Sequence, residues 1–193
     1  MKRVTLAVLF CLICVGSVSG QQPAVGAEPK MQIALGYVYQ GAQSFSGNGY
    51  SGLHGGRGEF TATLTGPLSV VSEFVGTYTG SMNSSPMSLT LFTYMGGPRY
   101  TMRLRNPGES RGTSLFVQAL AGGVHASNGI FPGNNTSADA FAFAAGVGVE
   151  TVINRRFSVR LFQAEYLYTR LPNFSNNYQN NFRIGAGMTL RLR

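Results

Sequence analysis

The C-terminal segment alternates with period two: Phe182, Ile184, Ala186, Met188, Leu190 and Leu192 share one parity, and Arg183, Gly185, Gly187, Thr189, Arg191 and Arg193 share the other. Successive side chains of an extended strand point to opposite faces, so one face here is wholly apolar and the other is polar or bare. Met31, Ile33, Leu35, Tyr37 and Tyr39 divide in the same way from Gln32, Ala34, Gly36, Val38 and Gln40. Between these ends the pattern predicts six more strands, over 55–64, 68–79, 89–103, 113–125, 140–152 and 157–169.

The connections alternate too. Thr65-Gly66-Pro67 and Ile153-Asn154-Arg155-Arg156 are tight, and 104–112 is moderate, with Asn106-Pro107-Gly108. The stretches 41–52, 80–88, 126–139 and 170–178 are longer and rich in Gly, Ser and Asn. Short turns at one end and long loops at the other predict an all-β fold, an eight-stranded antiparallel up-and-down transmembrane β-barrel. An even strand count brings both termini to the turn end, which would face the periplasm.

The position of the charges separates a membrane barrel from a soluble one. Arg57 and Glu59 oppose Gly58 and Phe60; Glu73 opposes Val70 and Phe74; Arg99 and Arg103 oppose Tyr100 and Met102; Glu150 opposes Val147 and Val149. If the charges point inward, every outer face is apolar, which suits lipid and not water. The expected interior set is Arg57, Glu59, Glu73, Arg99, Arg103, Glu150, Arg160, Glu165 and Arg183. Arg160 and Glu165 have opposite parity, so either a bulge near Phe162 or a rim position for one charge is required. Pro98 has no N–H for a ladder, and a bulge is expected there. Tyr39, Tyr78, Tyr166 and Tyr168 fall near strand ends, as an interfacial girdle would.

Charged residues make up only 11% of the chain and hydrophobic ones 44%, which fits a surface that mostly faces something other than water. Lys2 and Arg3 precede an apolar run from Val4 to Val15 and the small residues Gly16-Ser17-Val18-Ser19-Gly20. This is the layout of a Sec signal peptide, expected over residues 1–20. Residues 21–30 are then a short periplasmic leader and 31–193 the barrel. Both cysteines, Cys11 and Cys14, lie in the signal, so the barrel has none for a disulfide or a metal. The formal charge of +8 has no clustered Lys/Arg run, and an exported chain has little use for a nucleic-acid partner.

Gly97-Pro98-Arg99, Ala121-Gly122-Gly123-Val124-His125-Ala126-Ser127, the run from Arg160 to Arg170 and Asn180-Asn181-Phe182-Arg183 carry a resemblance that covers most of the barrel. The chain resembles OmpA-type single-barrel proteins, and in particular the small bacterial outer-membrane β-barrel domain proteins without a periplasmic domain. The resemblance implies outer-membrane lipids and lipopolysaccharide as surroundings, a monomer, no cofactor, and a structural or surface-interaction role. It also implies an assembly signal read by the barrel-assembly machinery, matched by Arg183, Gly185, Met188 and Leu190. The chain ends Leu192-Arg193, where that signal normally ends on an aromatic residue.

One constellation invites an enzymatic reading. His125-Ala126-Ser127-Asn128, with Asp139 beyond, resembles the His-x-Ser-Asn motif and downstream acid of outer-membrane lipid A deacylases, and Ser, His and an acid would suit ester hydrolysis. In that family the motif lies on the penultimate strand and the acid on the last, whereas here both flank the loop after the fifth. A rim histidine followed by a Ser/Asn turn is the preferred reading, so no catalytic residue is assigned. A narrow passive pore and this hydrolase remain as alternatives. His54 is read as a loop-end residue. Gly146-Val147-Gly148 lacks the helix of a phosphate cradle and reads as small residues in a narrow lumen. The sequons at Asn135 and Asn173 mean little in a bacterial chain, and no metal-ligand cluster exists.

Overall fold

The computed structural model describes residues 30–43, 49–81, 88–104, 112–173 and 177–192. The expected signal peptide, nearly all of the leader, and the Asn106-Pro107-Gly108 turn lie outside the described residues. Eight strands follow one another: β1 (Met31–Gln43), β2 (Tyr50–Thr65), β3 (Leu68–Thr79), β4 (Leu89–Leu104), β5 (Thr113–Phe131), β6 (Asn135–Val152), β7 (Phe157–Thr169) and β8 (Gln179–Leu192). Each pairs antiparallel with the next, and β8 closes on β1 through Met31↔Leu192 to Gly41↔Phe182. Closure leaves no sheet edge, so ladder N–H and C=O groups find partners without water.

The turns follow their local chemistry. Gly66, at φ +50°, links β2 to β3 in a conformation that Gly adopts without a Cβ penalty. In the β6–β7 turn, Asn154 Oδ1 accepts from the backbone N–H of Arg156 and of Phe157, each at 2.8 Å. This is an Asx-type closure.

Two expectations change here. The 126–139 segment is not a long loop: β5 runs to Phe131 and β6 starts at Asn135, with only Pro132, Gly133 and Asn134 between them. Turn chemistry concentrates in Gly133 and Asn134, both at positive φ, while Ala126, Ala138 and Ala140 continue the inward row. An irregularity between Ser127 and Phe131, with Asn128 at φ +61°, absorbs the polar run. Pro98 introduces no bulge. Val70 faces it in β3, and the β4–β5 register is the same at Gly96↔Ala121 and Arg99↔Gln118.

The register does slip in β7. Val149 faces Phe162 but Glu150 faces Arg160, and Arg160↔Gly187 is followed by Gln163↔Gly185. The extra residue leaves Leu161 and Phe162 both exposed and returns Arg160 and Glu165 to the same buried face. A bulge at Leu161–Phe162, and not a rim position, therefore resolves the parity conflict.

The outer face carries Leu35, Tyr37, Phe60, Phe74, Phe92, Tyr100, Val147, Tyr166, Ile184 and Met188, all exposed. The inner face bends tightly where side chains are missing. A Cβ on Gly55 would come within 1.8 Å of the Gly76 carbonyl oxygen, and one on Gly187 within 2.3 Å of that of Leu35.

Two outcomes follow from this architecture. The refolded protein should give a strand-dominated circular dichroism spectrum and migrate differently in boiled and unboiled detergent gels; a helical spectrum would overturn the fold. Ile184→Arg, placing a cation on the hydrocarbon face midway along β8, should cost ~2–4 kcal/mol in urea unfolding from vesicles, while Ile184→Val should change little.

Candidate functional site

Inward parity brings charged side chains from six strands into one buried cluster. Arg57 and Glu59 come from β2, Glu73 from β3, Arg99 from β4, Glu150 from β6, and Arg160 and Glu165 from β7. Arg183 of β8 completes it, and all eight are buried. Arg103, expected among them, is exposed: it has the inward parity but lies next to the end of β4, beyond the closed part of the barrel. Without it the buried charges among the described residues balance at four arginines and four glutamates.

Toward the turn end, Glu59 is the hub. Arg99 Nη2 donates to Glu59 Oε2 at 2.7 Å and Nη1 to Oε1 at 2.8 Å, a bidentate fork. Arg160 donates to the same carboxylate through Nη1 at 2.9 Å and Nη2 at 2.8 Å. Arg160 also lies 3.5 Å from Glu150, whose Oε2 accepts from Thr189 Oγ1 at 3.1 Å. Phe116 lies beneath both guanidiniums, 4.1 Å from Arg99 and 4.9 Å from Arg160, with its ring face offered to the cations. Gly148 makes room for it, since a Cβ there would sit 2.3 Å from the ring.

Toward the loop end, Arg57 pairs with Glu165 and places Nε 3.1 Å from Glu73 Oε2. Arg183 reaches Glu73 at 3.5 Å, donates from Nε to Gln40 Oε1 at 2.9 Å and from Nη2 to Thr93 Oγ1 at 2.7 Å. Two glutamines join the halves. Gln118 accepts from Arg99 Nε at 2.9 Å and donates to Glu165 Oε1 at 2.8 Å. Gln163 accepts from Arg160 at 2.7 Å and donates to the same Glu165 oxygen at 2.8 Å. All eight charges therefore belong to one connected network.

Above this layer the interior turns apolar. Leu53, Leu89, Leu91, Met95, Leu120, Val124, Phe131, Ala142, Leu167 and Leu171 form a buried cluster. Gln179 fixes its loop-end margin, accepting from Leu171 N at 3.1 Å and donating to Leu171 O at 3.0 Å. Parity alone could have found Leu53, Leu89, Leu91, Met95, Ala142 and Leu167, which share a row with an inward charge of their strand, whereas β5 carries no such charge to mark the row of Phe116 and Gln118. Gln163 could not be placed without the β7 bulge.

His125 and Asp139 face each other across β5 and β6 on the outer surface, with Nδ1 and Oδ1 2.8 Å apart. They sit within strands and do not flank a loop, because the hairpin extends past them. Ser127 faces Ser137, and among the described residues no hydrogen bond joins it to His125. His54 lies in β2 and not in a loop; its Nδ1 hydrogen-bonds the Tyr37 hydroxyl, and its ring lies 5.3 Å from that of Tyr39. Tyr78 and Tyr166 of the proposed girdle are exposed, while Tyr39 and Tyr168 are half-buried. Of the assembly-signal residues, Arg183 and Gly185 point inward, Met188 is exposed on the outer face, and Leu190 is half-buried there. Among the described residues no group of His, Cys, Asp and Glu could hold a metal ion.

The sequence profile of the family described as outer membrane protein beta-barrel domain matches residues 10–189. No curated protein matches the sequence. Neisserial surface protein A superposes with a TM-score of 0.67 at 13% identity, covering 84% of this chain and 97% of that one. The N-terminal β-barrel domain of Pseudomonas aeruginosa OprF superposes at 0.49 and 9% identity, covering 85% and 98%. Ail, the attachment invasion locus protein of Yersinia pestis, does so at 0.48 and 18%, covering 84% and 99%.

The hub geometry makes a direct prediction. Glu59→Ala would leave Arg99 and Arg160 buried without their shared carboxylate and should cost ~3–5 kcal/mol in urea unfolding from vesicles. Unchanged stability would mean that these charges are solvated in the folded barrel.

Proposed function

The chain belongs to the outer membrane protein beta-barrel domain family, and from that premise we propose that it serves as an integral outer-membrane protein with a structural or surface-interaction role and a lumen sealed by its own side chains. One observation carries this reading: four arginines and four glutamates form a single buried network across the interior. An eight-stranded barrel is only wide enough for side chains to fill. An ion or solute crossing it would have to break charge pairs in a low-dielectric surround and then pass the apolar cluster above them. The narrow-pore alternative has no comparable support.

The same reading has the chain exported through the Sec pathway with residues 1–20 removed, inserted as a monomer by the barrel-assembly machinery through the signal in β8, and left with both termini in the periplasm. Outer-membrane lipids and lipopolysaccharide are its surroundings. It is not an enzyme in this proposal: the His125–Asp139 pair acts as a cross-strand contact on the outer face.

In planar bilayers the protein should show no steady large conductance, and Glu73→Ala, which strips Arg57 and Arg183 of a partner, should lower thermal stability and raise leak. A stable open channel in the unaltered protein would overturn the sealed lumen. Expression in a lipopolysaccharide-bearing host should leave the lipid A mass spectrum unchanged. A lost acyl chain that depends on His125 and Ser127 would instead establish the hydrolase.

A further inference from the structure

Among the described residues, the turn end of the barrel carries charge of a single sign. Lys30, Arg103, Arg155 and Arg156 are exposed there and Arg191 is half-exposed. Among the described residues no acidic side chain is exposed at that end; the exposed acid, Asp139, belongs to the β5–β6 hairpin at the opposite end.

Each of these cations lies within two residues of an outward apolar side chain; Lys30, Arg103 and Arg191 hold the inward parity at the barrel mouth, and Arg155 and Arg156 stand on the β6–β7 turn. Lys30 precedes Met31, Arg103 lies between Met102 and Leu104, Arg155 and Arg156 lie between Ile153 and Phe157, and Arg191 lies between Leu190 and Leu192. Met31, Met102, Leu104, Ile153 and Phe157 are all exposed. Backbone contacts gather most of the cations into one sector. Arg191 N donates to Arg156 O at 2.7 Å, and Arg191 pairs with Gln32 of β1, two residues from Lys30.

A cation within two residues of a hydrocarbon-facing side chain sits at headgroup depth. It cannot be drawn into the apolar layer, and lipid phosphates lie at the same depth. We propose that this basic rim is a binding surface for anionic glycerophospholipid headgroups of the leaflet around the turn end. Arginine suits the task because its planar fork can donate two parallel hydrogen bonds to phosphate oxygens. The placement favours lipid over a soluble acidic partner, because Arg155 and Arg156 lie between the exposed apolar side chains of Ile153 and Phe157 at the margin of the apolar band. The proposal rests on the strands crossing a membrane and is independent of whether the lumen is sealed.

The test places the full barrel in nanodiscs of phosphatidylcholine and phosphatidylglycerol in equal amounts and reads the retained headgroups by native mass spectrometry. The protein should retain phosphatidylglycerol preferentially. Arg155→Gln with Arg156→Gln should reduce the preference by about fivefold per arginine, and the two Lys replacements should keep most of it. Asn154 closes this turn through backbone N–H groups, so these side chains are dispensable for the turn itself. The gel shift on heating verifies that each variant closes. If the Gln variant does not, a salt titration of the unaltered protein decides, since the preference must fall as ionic strength rises. No preference in the unaltered protein, a preference unmoved by the Gln pair or by salt, or capture of soluble polyglutamate in its place would each overturn the proposal. Loss of preference with no conductance would leave the sealed lumen standing, and an open channel that keeps the preference would do the reverse.

Discussion

A backbone crossing hydrocarbon must satisfy every N–H and C=O within the protein, and for strands the only complete solution is a closed ladder. The rest of this structure depends on that closure. Once β8 pairs with β1, each strand has two fixed neighbours and two fixed faces, and a slip of one residue would exchange them. The outer face can then be apolar along its whole height. The bulge in β7 is tolerated because it restores the faces where the sequence breaks parity.

Closure at eight strands sets the second condition. The interior is too narrow for bulk water and too wide for bare backbone, so side chains must fill it. Near mid-height they do so with ions that neutralise one another, and toward the loop end with Leu, Met, Val and Phe. A carboxylate shared by two guanidiniums, as at Glu59, is stable only where desolvation is matched by well-aligned partners. Gln118 and Gln163 serve this end by spending both ends of their amides on opposite charges. Phe116 offers a third type of contact, a ring face under two cations.

The outside is as asymmetric as the inside. Tyrosines, phenylalanines and two histidines gather toward the loop end of the outer face, while the turn end carries lysine and arginine beside its last apolar residues. The two membrane interfaces therefore meet different chemistry, one aromatic and hydrogen-bonding and the other cationic.

Much of this was legible from residue order alone. Strand identity, the sense of each face and the inward placement of Arg57, Glu59, Glu73, Arg99, Glu150 and Arg183 follow from period-two alternation, which is local to each strand. What parity could not decide was depth. Arg103 shares the inward row with Arg99 yet is exposed, because burial depends on where neighbouring strands end. Nor could it settle the β7 conflict, the absence of a bulge at Pro98, or the extension of β5 and β6 through a segment that reads as loop. Each of those depends on register against a partner strand. The pairing of Glu59 with Arg160, or of Arg57 with Glu165, joins residues about a hundred positions apart across the lumen, and only closure brings them together. Alternation along a strand decides which way a side chain points; the geometry of the closed barrel decides what it meets.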